Sequence, residues 1–336
     1  MDTPTLSIIL PTYNECSWLP ETLAIVSSEL SQSGWKNAEI IVVNDGSSDD
    51  TVAVLNSLDL TIPLKVLSHP NSGRFNSRLV GLNASKSDFV LLIDSRVHVN
   101  AGSFMFLKEQ LHLYPERRIW TGDVDIANSY KAPAAFWLAI TRLAWRRYFK
   151  TRTFTSFDEK EFDYFPKGTT FFFAPRELLL TACSSIDSHF ADKSLLNDDT
   201  LLIRPLSQKN RIYISPDFRC TYFSRDTLKK FWRHSYHRGT VFVDAYFRRG
   251  SRYLPYIYAC MFLAVAYPAV LFAYPLPLFS ISLVSALSPI VLLRRIKLSW
   301  SEIFGFYRAL PIFIPTYGAG ILRGLFLYVK TARARA

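Results

Sequence analysis

A chain of 336 residues has room for one large domain plus something smaller, and its 26 Phe, 17 Tyr and 7 Trp leave a slightly positive mean hydropathy, unusual for a wholly soluble protein. The four cysteines, Cys16, Cys183, Cys220 and Cys260, share no short paired spacing, which argues against a zinc site and a disulfide framework and suits a reducing compartment. The net charge of +11 is lopsided, with 19 Lys+Arg against 24 Asp+Glu in the first 200 residues and 20 against 4 in the remainder; this favours a basic membrane edge over a nucleic-acid footprint.

Met1-Asp2-Thr3-Pro4 shows no basic start followed by an apolar run, so no signal peptide is expected there. Leu6-Ser7-Ile8-Ile9-Leu10-Pro11 reads as a first buried strand and Thr12-Tyr13-Asn14-Glu15 as the loop leaving it. Leu19, Leu23, Val26 and Leu30 fall on one side of a helix over Trp18 to Leu30. Glu39-Ile40-Ile41-Val42-Val43 is a second buried strand. It closes in Asn44-Asp45-Gly46-Ser47-Ser48-Asp49-Asp50-Thr51, where Ser47, Ser48 and Asp49 offer side-chain caps to a helix beginning near Thr51. Leu64 to Leu67 forms a third short strand and Arg78 to Ala84 a helix. The apolar run Phe89 to Ile93, bounded by Asp88 and Asp94, reads as a strand buried on both faces. Such alternation predicts a parallel sheet with right-handed crossovers. Ligands of open α/β sheets bind outside the carboxyl ends of the strands, where Tyr13, Asp45 and Asp94 fall, although Asp94 taken alone could simply cap a turn.

Four stretches carry a resemblance when taken in order: Pro11-Thr12-Tyr13-Asn14-Glu15, Val43 to Thr51, Ser77-Arg78-Leu79-Val80-Gly81-Leu82-Asn83-Ala84, and Leu92-Ile93-Asp94-Ser95-Arg96. Together they resemble the nucleotide-sugar-binding half of a family 2 glycosyltransferase with the GT-A fold, over roughly residues 5 to 100 and more loosely to about residue 250. The resemblance implies an α/β, Rossmann-like domain with a mostly parallel, mixed sheet. It also implies that Pro11, Tyr13 and Glu15 border the nucleotide, that Asp45 binds the base or ribose, that Arg78 belongs to the donor site, and that Asp94 begins the acidic motif facing the diphosphate. A uridine-like base needs an aromatic face and a carboxylate acceptor for its N–H, which Tyr13 and Asp45 are placed to supply.

The family usually writes its acidic motif Asp-x-Asp, with the last carboxylate on Mg2+ or Mn2+, whereas this chain has Asp94-Ser95-Arg96. Arginine cannot coordinate a cation. Either Asp94 and a second group such as His98 hold the divalent cation, which is the favoured reading, or Arg96 pairs with the diphosphate through its guanidinium.

Beyond residue 100 the sheet is expected to turn mixed. Ile119-Trp120-Thr121-Gly122-Asp123-Val124 reads as a further core strand, and Tyr148 to Phe165 as a loop region near the acceptor. Phe165 to Arg176 resembles the family's glycine-bearing acceptor-side segment. In Leu195-Leu196-Asn197-Asp198-Asp199-Thr200, an acidic pair opening an amphipathic helix could be an N-cap. The resemblance implies instead that Asp199 is the catalytic base and Asp198 its neighbour, with Ile212 to Asp217 following at the family's spacing. A carboxylate suits that task, because an acceptor hydroxyl must lose its proton as it attacks. Phe231 to Gly239 stands where the family often has a helix over the diphosphate. There His234, His237 and Arg238 would assist the leaving nucleoside diphosphate, or the helix lies on a membrane surface.

Between Arg252 and Arg294 lie 41 residues without Asp, Glu, Lys or Arg. A bilayer-spanning helix needs roughly 20, so two fit, with a break at Tyr274-Pro275-Leu276-Pro277. Arg248, Arg249 and Arg252 before the run, and Arg294, Arg295 and Lys297 after it, place both ends in the cytoplasm. Ile303 to Val329 is interrupted by Arg308, Pro311, Pro315 and Arg323 and reads as interfacial helices. The expected organisation is a GT-A domain over 1–250, a transmembrane hairpin over 253–296, and interfacial helices with a basic tail over 297–336. The expected activity is inverting glycosyl transfer of the hexosyltransferase class, from a nucleotide-diphosphate sugar to a lipid-linked or glycan acceptor in cell-envelope polysaccharide synthesis. The catalytic domain would face the cytoplasm of a multi-pass protein that touches membrane lipids and no nucleic acid. Two alternatives remain. A nucleotidyltransferase making an activated sugar would normally carry a glycine-rich basic phosphate loop, which Pro11 to Glu15 lacks; Arg96 motivates an inactive membrane assembly partner.

Overall fold

The computed structural model describes residues 4–249, 251–273 and 289–335, and the chain folds as two compact units. The first comprises Met1–Ala127 and Thr151–Ser224, the second Asn128–Lys150 and Arg225–Ala336.

In the first unit, strands β1 (Leu6–Thr12), β2 (Ala38–Asn44), β3 (Leu64–Ser68) and β4 (Phe89–Ile93) alternate with helices α1 (Leu19–Gln32), α2 (Thr51–Ser57) and α3 (Arg74–Ala84). The four strands pair in parallel in the order β3-β2-β1-β4. Ile8, Ile9, Leu10, Ile40 to Val43 and Val90 to Ile93 are fully buried, as expected where helices cover both faces of a parallel sheet. Close packing of α3 on β1 requires Gly81, since a Cβ there would stand 2.5 Å from the Ile9 Cγ2 methyl. α3 begins at Arg74 behind a Gly73 of φ +92°, four residues before the start read from the sequence, because the apolar pattern is silent over its first turn.

The sheet then turns mixed. Next come β5 (Val97–Val99), α4 (Ser103–Leu113), β6 (Trp120–Thr121) and β7 (Asp123–Ile126), followed by α5 (Ala132–Ala144) and α6 (Arg146–Thr151). β8 (Thr155–Phe157), β9 (Phe171–Pro175), α7 (Arg176–Ser184), α8 (Asp198–Lys209), β10 (Ile212–Ile214) and β11 (Arg219–Tyr222) complete the unit. β9 runs antiparallel to β4, with Phe171 opposite Ile93, and the eight-stranded sheet reads β3-β2-β1-β4-β9-β6-β10-β8. A smaller sheet, β5-β11-β7, stands beside it. Two readings need correction. The strand expected over Ile119 to Val124 splits at Gly122, where a Cβ would run into the Phe171 ring. The loop expected over Tyr148 to Phe165 contains α6 and β8; β8 is held by antiparallel pairing with β10, a partner more than fifty residues away that leaves no local periodicity.

The second unit is helical. α5 packs with α9 (Leu228–Tyr246), α11 (Pro289–Arg295) and α12 (Trp300–Arg335) around Phe136, Ala139, Phe231, Leu293, Phe306 and Ala309. Phe136 and Phe306 stack with centroids 5.3 Å apart. The interfacial helices expected over Ile303 to Val329 are one continuous helix, since α12 runs through Pro311 and Pro315. The backbone donors lost at the two prolines are outweighed by packing along α9 and α5. Trp300–Ala334 is long and apolar enough to cross a membrane by length and composition. α10 (Leu254–Ala273) is helical over the first half of the run expected to form a hairpin; the expected proline break and most of the second half lie outside the described residues.

Candidate functional site

The carboxyl ends of β2 and β4, the first turn of α3, the entry to β9 and the first turn of α8 carry polar side chains bonded in local groups. Asp94 follows β4 directly. Its Oδ1 accepts a 2.8 Å bond from Arg78 Nη2, and its Oδ2 accepts from Thr170 Oγ1 at 3.1 Å. Arg78 is only 1% exposed, and its Nη1 donates to Asp198 Oδ2. One buried guanidinium therefore bridges two carboxylates that arrive from β4 and α8. Arg74, one turn earlier on α3 and half exposed, reaches Asp198 Oδ1 at 3.4 Å.

The acidic pair at the start of α8 divides its roles. The N-cap is Asn197, whose side-chain oxygen accepts from Thr200 N at 3.1 Å, so neither Asp has to close the helix end. Asp198 is buried against Arg78. Asp199 is less buried, and its Oδ1 accepts from the backbone N of Thr169 at 2.9 Å and from the Thr169 hydroxyl. Thr169 and Thr170 are consecutive, so the Asp199 and Asp94 carboxylates are held by neighbouring residues.

At the end of β2, Asp45 is buried and works locally. Its oxygens accept from Ser72 N at 2.7 Å and Gly73 N at 3.0 Å, with His69 Nδ1 3.5 Å away, which fixes the loop that delivers Arg74. Gly73 itself lies against Ser194, where a Cβ would stand 2.9 Å from the Ser194 Cα. Pro11 is buried within β1 opposite Val43, whereas Tyr13 beyond it is 49% exposed. Asn14, at φ +54°, is tied to the β2 loop through Ser47 and Ser48. Glu15 receives Arg96 Nε at 2.9 and 3.0 Å and Arg96 Nη2 at 2.9 Å.

His98 packs on Phe223 with centroids 4.6 Å apart, its Nδ1 3.8 Å from Glu21 and its Nε2 buried without a hydrogen-bond partner. Burial holds its pKa below the ordinary value, with Glu21 pulling the other way, so the ring is neutral at pH 7. His234, His237 and Arg238 lie on α9 in the second unit, where His234 and Arg238 pack on Trp137. Cys183, beneath the site, is a free thiol pushed up to about 12 by burial and is protonated at neutral pH.

Sequence reasoning missed Arg74, Thr169 and Thr170 as members of these groups. Arg74 had a signal, because it stands four residues before Arg78 and shares its helical face. Among the described residues no group of three or more His, Cys, Asp or Glu could hold a metal ion. Asp94 nevertheless retains lone pairs beyond those used by Arg78 and Thr170. It fits a cation such as Mg2+ that takes one carboxylate and fills its remaining positions with phosphate oxygens and water, and it does not fit a closed protein cage.

Residues 7–95 match the family model described as glycosyl transferase family 2. Over 124 residues the chain is 27% identical to poly-beta-1,6-N-acetyl-D-glucosamine synthase of Staphylococcus epidermidis, covering 37% of this chain and 29% of that protein. Over 97 residues it is 29% identical to undecaprenyl-phosphate 4-deoxy-4-formamido-L-arabinose transferase of Aeromonas hydrophila, covering 28% of this chain and 29% of that protein. The chain thus spans well under half the length of these curated relatives. The mannosyltransferase PcManGT from Pyrobaculum calidifontis, solved with GDP-Man and Mn2+, superposes over 99% of this chain and 87% of its own at 16% identity, with a TM-score of 0.50. The fold is that of the GT-A glycosyltransferases, and the match to the family 2 model is confined to residues 7–95.

Proposed function

We propose that this protein is an inverting glycosyltransferase that moves a sugar from a nucleotide-diphosphate sugar to an acceptor confined to the membrane surface. The observation that carries the reading is the placement of Asp199 and Asp94 on the adjacent threonines 169 and 170, a proton acceptor beside a donor anchor. Exposed Tyr13 offers a face for the base, and Asp45 holds the loop that brings Arg74 and Arg78 forward. The acceptor hydroxyl gives its proton to Asp199 as its oxygen attacks the anomeric carbon. The bond from that carbon to the diphosphate oxygen breaks on the opposite face, and the nucleoside diphosphate leaves with the bonding pair. Asp198 does not share this task, because Arg78 and Arg74 claim it.

Charge balance supports a cation. Asp94, Asp198 and Asp199 against Arg74 and Arg78 leave one net negative charge, to which the diphosphate adds more. A divalent ion held by Asp94 would supply the compensating charge and polarise the leaving group. GDP-Man and Mn2+ in PcManGT accord with such a donor and ion. The polysaccharide synthase and the undecaprenyl-phosphate transferase among the relatives support a lipid-linked or glycan acceptor, with α10 and α12 as multi-pass anchors and the catalytic unit in the cytoplasm.

The test is turnover of a panel of UDP- and GDP-sugars by the detergent-solubilised protein, read as released nucleoside diphosphate. Asp199→Asn should lower kcat by about 10²–10⁴-fold. An unchanged rate would remove the base, as for an acceptor phosphate already ionised, and no turnover with any donor would sink the reading.

A further inference from the structure

Arg96 stands where the acidic motif would normally offer a second carboxylate, and its guanidinium is already engaged. Its Nε lies 2.9 and 3.0 Å from the two Glu15 oxygens and its Nη2 lies 2.9 Å from Oε2, with the side chains only 11% and 14% exposed. The Trp18 ring covers the guanidinium at 5.1 Å and packs in turn on Phe223 at 5.1 Å. Phe223 N donates to Arg96 O at 3.0 Å, and Trp18 N donates to Glu15 O at 2.9 Å. Arg96, through its side chain and its carbonyl, thus ties together the loop after β1, the turn between β4 and β5, and the residue following β11.

The loop held in this way presents Tyr13. On one side of Tyr13 the chain is anchored in β1; on the other, Asn14 takes a left-handed conformation fastened to Ser47 and Ser48, and Glu15 is fastened to Arg96. A loop fixed at both ends holds its exposed ring in place before a ligand arrives, which lowers the ordering cost of binding. A largely desolvated bidentate pair is strong enough to do this, and a lysine cannot reproduce its side-on geometry.

We infer that Arg96 is a positioning residue that clamps Glu15 and so presets Tyr13 as the platform for the donor's base, and that it is not the group that neutralises the diphosphate. The inference rests on the donor site proposed above. It is tested first without any ligand, by hydrogen exchange of the backbone amides of residues 14–18. Arg96→Lys and Glu15→Gln should each speed exchange there at least tenfold relative to the parent while leaving α8 unchanged. Unaltered exchange overturns the clamp whether or not the protein binds nucleotide.

The second measurement is binding of UDP, GDP and inorganic pyrophosphate to the full chain by calorimetry. Both variants should weaken the better nucleoside diphosphate about tenfold, leave pyrophosphate within twofold, and raise donor KM with little change in kcat. The exchanged pair Glu15→Arg with Arg96→Glu should recover part of the loss. Loss of pyrophosphate affinity in Arg96→Lys but not in Glu15→Gln would show Arg96 acting on the diphosphate and overturn the inference. Failure of the parent to bind either nucleotide would instead count against the donor site, with the exchange result still deciding the clamp.

Discussion

Arg78 carries more of the site than any other single side chain, since it is buried between Asp94 and Asp198 and both depend on it for their charge. Removing one partner of a buried ionic group leaves the others uncompensated, at about 3–5 kcal/mol. Arg78→Leu should destabilise the protein by that order in urea unfolding at pH 7. Asp94, Asp199 and the neighbourhood of Arg78 were legible because they sit in short, ordered stretches of sequence. Their partnerships were not, since Arg78 and Asp198 lie 120 positions apart and Arg96 and Glu15 lie 81 apart. Nor did position announce that the Asp45 oxygens accept from the backbone of Ser72 and Gly73.

Among the elements, α1, β1, β2 and β4 followed directly from periodicity and apolar runs, because each carries a long apolar pattern of its own. β8 escaped because three-residue pairing with β10 leaves no pattern to read, and α6 because six residues are too few to show a period. The continuity of α12 escaped for another reason: its prolines signal an end, and the packing that overrides them is tertiary. Much of that packing is a glycine crossing. A Cβ on Gly320 would overlap the Tyr236 carbonyl oxygen and stand 3.0 Å from the Gly239 Cα, while Gly324 faces Thr240 and Val243 of α9. Gly320→Leu should therefore force the helices apart and cost about 1–3 kcal/mol or more, as for other overpacked interiors. A fall in the thermal midpoint of the detergent-solubilised protein checks this, with Gly318→Leu, where a Cβ meets nothing, as the control.

At the scale of the whole molecule, the mixed sheet was legible in class and not in order, because the pairing of β4 with β9 joins strands separated by about eighty residues. The charge asymmetry was legible too, and the basic remainder of the sequence coincides largely with the helical unit. Less visible was the interleaving of the two units: residues 128–150, between the two stretches of the first unit, fold with the C-terminal helices. This matters to anyone seeking a water-soluble fragment. Cutting the chain after residue 250 removes Leu293, Phe306 and Phe313 from Phe136 and its neighbours and strands an oily helix on the product. Size-exclusion chromatography should find that fragment aggregated. Replacing 128–150 by a short Gly/Ser bridge and ending at Ser224 should give a monodisperse species instead, so the scissors must enter this gene product twice.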